Sequence, residues 1–508
     1  MNARTLMVQG TGSSVGKSLL VTGLCRLYSR RGLRVAPFKA QNMSNNAGVT
    51  PDGGEIGRAQ VSQAEACGLL PSADMNPILL KPEADHRSQV VLLGKAWATL
   101  QAGAYYQCKS ELWTQVTGAL DRLRAAYDLV IIEGAGSPAE LNLREGDIVN
   151  MPVAQYAGSP VLLAGDIDKG GIFAQLLGTL WLMQAEEKAL VKGFIVNKFR
   201  GDPALFVDGV RILEQRGGVP VIGVVPWVHD HGVAQEDAAV LDYEASPWDG
   251  AQSSVPPDRP GSVVDIAVVA LPRIANFDDF DPLIAEPGVR VRWVRDAEAL
   301  GQPEAVILPG TKHTQADLAW LRAKGLADSI VELAARGRAI VGICGGYQML
   351  SRAISDPEGV EGMGGESSAL GLLDADVLFA SEKTTWEAQA QLAGALPWLD
   401  DAGEMVGYEI HAGQAHAARP LLKIRRANGQ ELMDGARSAD GRIWGTHLHG
   451  LFRNDAFRRA WLASLGWRPA PGQDARPARR GPAAYDHLAD VLEANLDMAR
   501  LDRIIRQL

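Results

Sequence analysis

A cysteine at a strand-to-helix turn is the most chemically loaded feature of this sequence. Residues 340–350 read IVGICGGYQML: an apolar run, then Gly-x-Cys-x-Gly, then residues suited to a helix. That pattern is a nucleophile elbow, whose sharp turn exposes the side chain at its apex. Small residues at Gly342 and Gly346 allow the turn, and the helix N-terminus favours Cys344 as thiolate. The amide of Gly345 then faces a developing oxyanion, with a second donor expected from the backbone of Gly310–Thr311. Cys25, Cys67 and Cys108 lack this frame and are expected to be structural.

A thiol needs a base. Residues 443–452 read IWGTHLHGLF, with His447 and His449 two apart. On a strand both would share one face, so spacing alone leaves either one as the base. His229 and His313 read as structural.

A second site lies near the N-terminus. Residues 10–18, GTGSSVGKS, follow an apolar run. A glycine loop leading into Lys and Ser at a helix start surrounds phosphate with N–H groups. Gly12 and Gly16 shape the loop, Lys17 reaches the outer phosphates of ATP, and Ser18 ligates Mg²⁺. The spacing is a variant, because Thr11 stands where G-x-x-x-x-G-K-[ST] requires glycine. Glu133 ends DLVIIE, at the strand end where ligands of open α/β sheets collect, and is expected as the second Mg²⁺ ligand. Lys39, closing RVAPFKA, is a further phosphate contact. Asp166 and Asp168, in GDIDKGG, suit metal, substrate or turn duty.

The elements that must hold these residues are also visible. TLMVQG, RVAPFKA, DLVIIEGAG, PVLLAGDI, GFIVNKF and PVIGVVP are short and Val/Ile/Leu-rich, as buried parallel strands are. They define an α/β domain over 1–230. A Gly/Pro/Ser-rich stretch over 231–262 reads as a linker. VDIAVVALP, VRVRWVRD, AVILPGTK and AIVGICGG restart the rhythm, for a second α/β domain over 263–455. Residues 456–508 form a tail ending in one amphipathic helix, preceded by a solvated cluster at Arg476, Arg479 and Arg480.

Bulk properties narrow the classes. The 508 residues are 46% hydrophobic and 22% charged, as in ordinary globular proteins. A net charge of -10 argues against a nucleic-acid surface. No apolar run approaches the roughly 20 residues that span a bilayer. The four cysteines form no CxxC or paired framework, so disulfides and structural zinc are not expected. A reducing, cytoplasmic setting follows, with no membrane partner.

GICGGYQ resembles the nucleophile motif of class I glutamine amidotransferases, and THLHG at 446–450 resembles the Thr-x-x-His-Gly motif of the corrin-acting subfamily. The resemblance selects His449 as the catalytic histidine. Most class I enzymes carry His-x-Glu, whereas Leu451 stands here in the third position, and Glu409 in GYEIHAG is a candidate replacement. The phosphate loop is similar to that of dethiobiotin synthetase. FKAQNMSNN, GEIGRAQ, DMNPILLKP, IEGAGSPAELNL, DIDKGGIFA and NKFRGD resemble the cobyric acid synthases, over about residues 5–455. That resemblance implies a P-loop NTPase-like domain followed by a class I glutaminase domain. It also implies ATP, Mg²⁺ and glutamine as reactants, a small-molecule corrinoid as acceptor, and Gln41–Asn46 as one wall of its pocket. The related a,c-diamide synthases share the plan, but QNMSNN and DMNPILLKP point away from them. The missing His-x-Glu also weakens CTP synthase. A nucleotide-dependent scaffold of the partition-ATPase kind would have no use for the Cys344 elbow.

Overall fold

The computed structural model describes residues 2–84, 87–229, 231–233, 264–361, 364–468 and 481–506. Nearly all of the expected linker, and the Arg476–Arg480 cluster, lie outside the described residues.

The first six apolar runs become six strands of one parallel sheet. They are β1 (Arg4–Gly10), β2 (Val35–Phe38), β3 (Leu129–Glu133), β4 (Val161–Asp166), β5 (Val191–Phe199) and β6 (Val221–Pro226). The spatial order is β6-β5-β4-β1-β3-β2. Side chains alternate between the two faces, and both faces are covered. Leu6 and Val8 of β1 enter the core that holds Leu20 and Leu24, whereas Met7 enters the one that holds Phe38 and Ile132. β1 is central, and pairing of Val8 with Glu133 brings the end of β3 level with the phosphate loop. Helix α1 (Lys17–Arg30) follows that loop.

Between β2 and β3 the chain inserts a four-stranded sheet, with strands Gln41–Met43, Ile78–Ala84, Arg87–Leu92 and Lys95–Gln101. Helix α2 (Arg58–Ala66) lies in the same insertion and is buried along its length except at Glu65.

The second unit repeats the logic. β7 (Val264–Val269), β8 (Val289–Val294), β9 (Ala305–Leu308) and β10 (Ala339–Ile343) are parallel, with Ile266 and Val268 facing one core and Ala267 and Val269 the other. Helix α3 (Gly345–Leu350) leaves β10. Two long antiparallel strands, β11 (Ala375–Leu392) and β12 (Met405–Ala417), build a second sheet beside it.

The run IWGTHLHGLF is not one strand. β13 (Ile443–Thr446) extends the parallel sheet beside β10, whereas β14 (Leu448–His449) pairs antiparallel with β12. The chain changes sheets at His447, so the two histidines do not share a face of one strand.

Helix α4 (Asp455–Ser464) caps the second unit through Phe457, Trp461 and Leu462. The chain then returns to the first unit. The expected terminal helix is broken into α5 (Pro482–Asn495) and α6 (Met498–Arg506). The break has a physical cause: Leu496 bridges to Gly223 beside β6, and the Asp497 amide donates to the Ile222 carbonyl at 2.7 Å. Leu488 and Leu492 of α5 pack in the core with Leu20 and Leu24 of α1. A Cβ on Gly23 would lie 2.5 Å from Leu492 Cδ1, so the helices touch at van der Waals distance. Arg26 to Asp486 (2.7 Å) and Arg31 to Glu493 (2.7 Å) line the edge of the contact.

Since α5 covers the helix that opens the phosphate loop, its core residues should govern the stability of that loop. Leu492→Ala should cost about 2–4 kcal/mol. Hydrogen exchange of α1 amides checks this, with faster exchange in α1 than in β7–β10.

Candidate active sites

At the first site the loop is held by contacts reaching across the sheet. Gly16 adopts φ 97°, and a Cβ there would lie 2.3 Å from Asn197 Nδ2, which donates to the Val15 carbonyl at 2.8 Å. Only glycine permits both the backbone angle and the approach. Lys17 Nζ donates to the carbonyls of Gly12 (2.8 Å) and Gly136 (3.1 Å), and so crosses the mouth of the loop.

Glu133 is the hub. Its Oε1 accepts from Ser18 Oγ at 2.8 Å and from Lys39 Nζ at 2.9 Å, and its Oε2 accepts from Gln63 Nε2 at 2.6 Å. Gly12, Gly16, Lys17, Ser18, Lys39 and Glu133 are therefore together. Gln63, at the inner end of α2, is an addition that no motif signalled. A hydroxyl and a carboxylate are hard oxygen donors, and Mg²⁺ takes few protein ligands besides water and phosphate. The donor set fits that ion, with the remaining positions left to the nucleotide. Asp166 holds Lys198 Nζ at 2.9 Å, which also donates to the Ser14 carbonyl of the loop at 2.6 Å, and Asp168 pairs with Arg200 Nε at 2.6 Å.

At the second site Cys344 sits at φ 51°, ψ −113°, a strained conformation for a residue with a side chain. The surroundings enforce it. The Cys344 amide donates to the Thr446 carbonyl at 2.8 Å, and a Cβ on Gly346 would lie 1.9 Å from the Leu308 carbonyl oxygen. α3 is thus clamped against the end of β9, and Cys344 is the pivot. Gly310 lies alongside: a Cβ there would be 3.0 Å from His449 Cε1 and 3.7 Å from Cys344 Cβ.

The Cys344 thiol donates to the Ile410 carbonyl at 3.6 Å, and His449 borders the same Gly310 as Cys344 does. The His449 Nδ1 is 2.7 Å from Asp279 Oδ2, and Asp279 Oδ1 accepts from the Gly450 amide at 2.8 Å. Tyr408 stacks on the ring at 5.2 Å and 19°. Burial alone would push this imidazole down. The Asp279 carboxylate overrides it, with Cys344 adding to the effect, and pushes the pKa up to about 10. The ring is poised as imidazolium beside the sulfur, the partner a thiolate needs.

His447 belongs to a different network. Its Nδ1 is 2.9 Å from Asp434 Oδ1, its Nε2 is 3.3 Å from Gln348 Nε2, and its ring stacks on His411 at 4.1 Å. Glu409, the candidate orienting acid, is corrected by the structure. Its oxygens serve His411 Nε2 (3.0 Å) and Arg426 (2.6 and 3.0 Å), so they are committed away from His449. The acid is Asp279, which stands 170 residues from its histidine. The only local signal was the acidic pair in NFDDF. His313 caps a helix by accepting from the Ala316 amide at 3.3 Å, a structural role.

The Asp279 turn rests on the first unit. Asn276, at φ 54°, takes Asn46 Oδ1 on its amide at 2.7 Å and gives its side-chain amide to the Ala47 carbonyl (2.9 Å) and Tyr408 Oη (2.8 Å). Asp278 accepts from Arg58 Nε at 3.0 Å and from Arg453 at 2.7 Å. Asn46 is buried in these contacts, and Asn42 is buried against Gln60, to whose Oε1 it donates at 2.9 Å. This part of Gln41–Asn46 is therefore seam and core, while Met43 is exposed.

Comparison with known proteins bears on both sites. Residues 6–238 match the family described as the CobQ/CobB/MinD/ParA nucleotide binding domain. Residues 265–457 match the CobB/CobQ-like glutamine amidotransferase domain. The cobyric acid synthase of Chloroflexus aurantiacus is 53% identical over 512 residues, covering 100% of each chain. That of Roseiflexus castenholzii is 53% identical over 97% of each, and that of Sorangium cellulosum 50% identical over 99% of each.

Asp279→Asn keeps the shape and removes the charge. Glutamine hydrolysis should fall by about 100-fold or more in kcat, as when the acid of a catalytic triad is neutralised. The pH dependence has a definite sign. An imidazole raised from 6.5 to about 10 stabilises the fold fully below pH 6.5 and loses that contribution as pH rises through about 10. The stability gap between wild type and variant in urea should therefore be widest below pH 6.5 and close near pH 10.

Proposed function

The chain belongs to the cobyric acid synthase family, and from that premise we propose that it amidates the b, d, e and g carboxylates of adenosylcobyrinic acid a,c-diamide, using glutamine nitrogen and ATP. The observation that carries this reading is the presence in one chain of two complete sites: Cys344 with His449 and Asp279, and Lys17 with Ser18 and Glu133.

At the phosphate site, Lys17 donates to the backbone carbonyls of Gly12 and Gly136, and phosphate oxygens are stronger, charge-assisted partners for it. Ser18 and Glu133 would hold Mg²⁺, which when bound neutralises charge on the β- and γ-phosphates. A corrin carboxylate attacks the γ-phosphate, giving an acyl phosphate and ADP. The chain's work there is alignment and charge neutralisation.

At the thiol site, Asp279 occupies Nδ1 of His449, so Nε2 is the atom that exchanges protons with the sulfur. The thiolate attacks the glutamine amide, and the amides of Gly345 and the Gly310–Thr311 segment face the oxyanion. The imidazolium passes its proton to the leaving ammonia, and water then hydrolyses the glutamyl thioester. Ammonia displaces phosphate from the acyl phosphate to make the amide.

Incubation with ATP, Mg²⁺, glutamine and the corrin diamide, followed by mass spectrometry, tests the reading. The product should carry amides at all of the b, d, e and g positions; recovery of unchanged diamide refutes it. Cys344→Ala should lose glutamine-driven amidation and keep ammonium-driven amidation. Lys17→Ala should lose both, and undiminished ammonium-driven turnover would remove the phosphate site from the mechanism.

A further inference from the structure

The Gly310–Thr311 segment, which faces the oxyanion, lies beyond the end of β9 (Ala305–Leu308). A Cβ on Gly345 would lie 3.2 Å from the Thr311 nitrogen and 2.6 Å from Thr311 Cγ2. The segment is therefore the immediate neighbour of the amide that follows the nucleophile. An oxyanion donor works only where the oxygen will stand, so something must fix this stretch of chain.

A short ladder begins the task. Ile274 bridges to Thr311, the Ala275 amide donates to the Gly310 carbonyl at 2.8 Å, and the Lys312 amide donates to the Arg273 carbonyl at 2.9 Å. Fully buried Asp317 ties the two arms together, accepting from Thr311 Oγ1 at 2.6 Å and from Arg273 Nη1 at 3.0 Å. Both arms then end on one residue of the first unit. Arg273 Nε donates to the Glu83 carbonyl at 2.7 Å, and Lys312 Nζ pairs with Glu83 Oε1 at 2.9 Å. Arg87 takes the other oxygen, Oε2, at 3.0 Å, which orients the carboxylate toward Lys312.

Glu83 is itself well fixed. It is buried near the end of the inserted strand Ile78–Ala84. The start of that strand is tied to the phosphate site: Asn76 Nδ2 donates to the carbonyls of Lys39 (3.1 Å) and Ile78 (2.9 Å), and Lys39 is a partner of Glu133. Lys312 follows Thr311 directly, and its side chain is only 15% exposed, which leaves it little rotamer freedom. Drawing its ammonium to a fixed carboxylate therefore sets the peptide that precedes it.

We propose that Glu83 is a positioning residue for glutamine hydrolysis: through Lys312 and Arg273 it holds the Thr311 amide at the oxyanion site of the other unit. This rests on the two-site reading above. The thiol, its base and its acid come from the second unit, whereas the setting of the oxyanion donor comes from the first.

The test uses the full chain. Lys312→Met keeps side-chain length and leaves Glu83 paired with Arg87; Glu83→Leu removes the carboxylate and keeps the carbonyl that Arg273 uses. Each should lower kcat for glutamine hydrolysis about tenfold or more and leave KM within about twofold, because an oxyanion donor acts in the transition state and not on bound glutamine. The γ-aldehyde analogue of glutamine gives a readout that a loss of structure alone would not reproduce. The Cys344 thiolate adds to its carbonyl carbon, the π pair moves to oxygen, and the adduct carries the same oxyanion. Its Ki should rise by the factor by which kcat falls. Alkylation of Cys344 by iodoacetamide involves no oxyanion and should stay within about twofold of wild type, as should ammonium-driven amidation. Lys312→Arg keeps the charge pair and should hold kcat within about threefold of wild type. Unchanged kcat in either Lys312→Met or Glu83→Leu overturns the proposal. So does a fall in kcat without the matching rise in Ki, or one matched by an equal fall in alkylation or in ammonium-driven amidation. Failure of the two-site reading looks different: wild type then releases no glutamate and does not bind the aldehyde.

Discussion

The turn from Asn276 to Asp279 is the constraint on which both active sites depend. Consecutive side chains in it point to different structures. Asn276 docks on Asn46 and Ala47, Asp278 takes Arg58, and Asp279 takes His449. Phe277–Phe280 form one short helical turn, and the left-handed Asn276 at φ 54° starts the chain in the required direction. The charge state of the base is therefore tied to the docking of the two units. Without the seam, Asp278 would lose its Arg58 partner and keep only Arg453, beside the acid that keeps His449 charged.

The two sites use one architectural idea twice. Each lies at the carboxyl ends of parallel strands, where a glycine-rich turn meets a helix. The phosphate loop follows β1, with Glu133 supplied by the adjacent β3; the thiol elbow follows β10, with Gly310 supplied by the adjacent β9. In the first, backbone N–H groups and Lys17 are arranged for an anion already present. In the second, they are arranged for an anion that forms during reaction. The same local geometry thus serves ground-state binding at one end and transition-state charge at the other.

What the sequence made legible was local. Each central strand is a continuous apolar run, because both faces of a parallel sheet are covered, and all of those runs were found in register with their glycine turns. The elbow was visible because Gly342 and Gly346 are forced by close backbone approaches. Long-range pairings left no such trace. The acid of His449 is 170 residues away, whereas Glu409 in GYEIHAG is nearer in sequence and its strand β12 does pair with β14, yet its carboxylate is held by His411 and Arg426. The alternation in THLH suggested one strand, yet it spans a change of sheet, which hydrophobic periodicity does not report. The inserted sheet over residues 41–101 was also silent, being made of short strands of mixed polarity whose partner faces lie elsewhere in the chain.

The polarity of the seam follows from the precision that these sites demand. Besides Arg58 and Asp278, it buries Glu55 with Lys81 and Lys383, each at 2.5 Å, and Glu83 with Lys312 at 2.9 Å. An apolar seam of equal area would hold at least as tightly, since burying ion pairs gains little over well-packed hydrophobic contact. It would specify register less, because apolar burial is non-directional and follows the area removed from water. A buried ion pair is not indifferent: a displaced partner leaves a charge uncompensated, at about 3–5 kcal/mol. Asp279 must stand 2.7 Å from His449, and Gln63 2.6 Å from Glu133, with the seam between them. Charges that bind in only one register hold both distances at once.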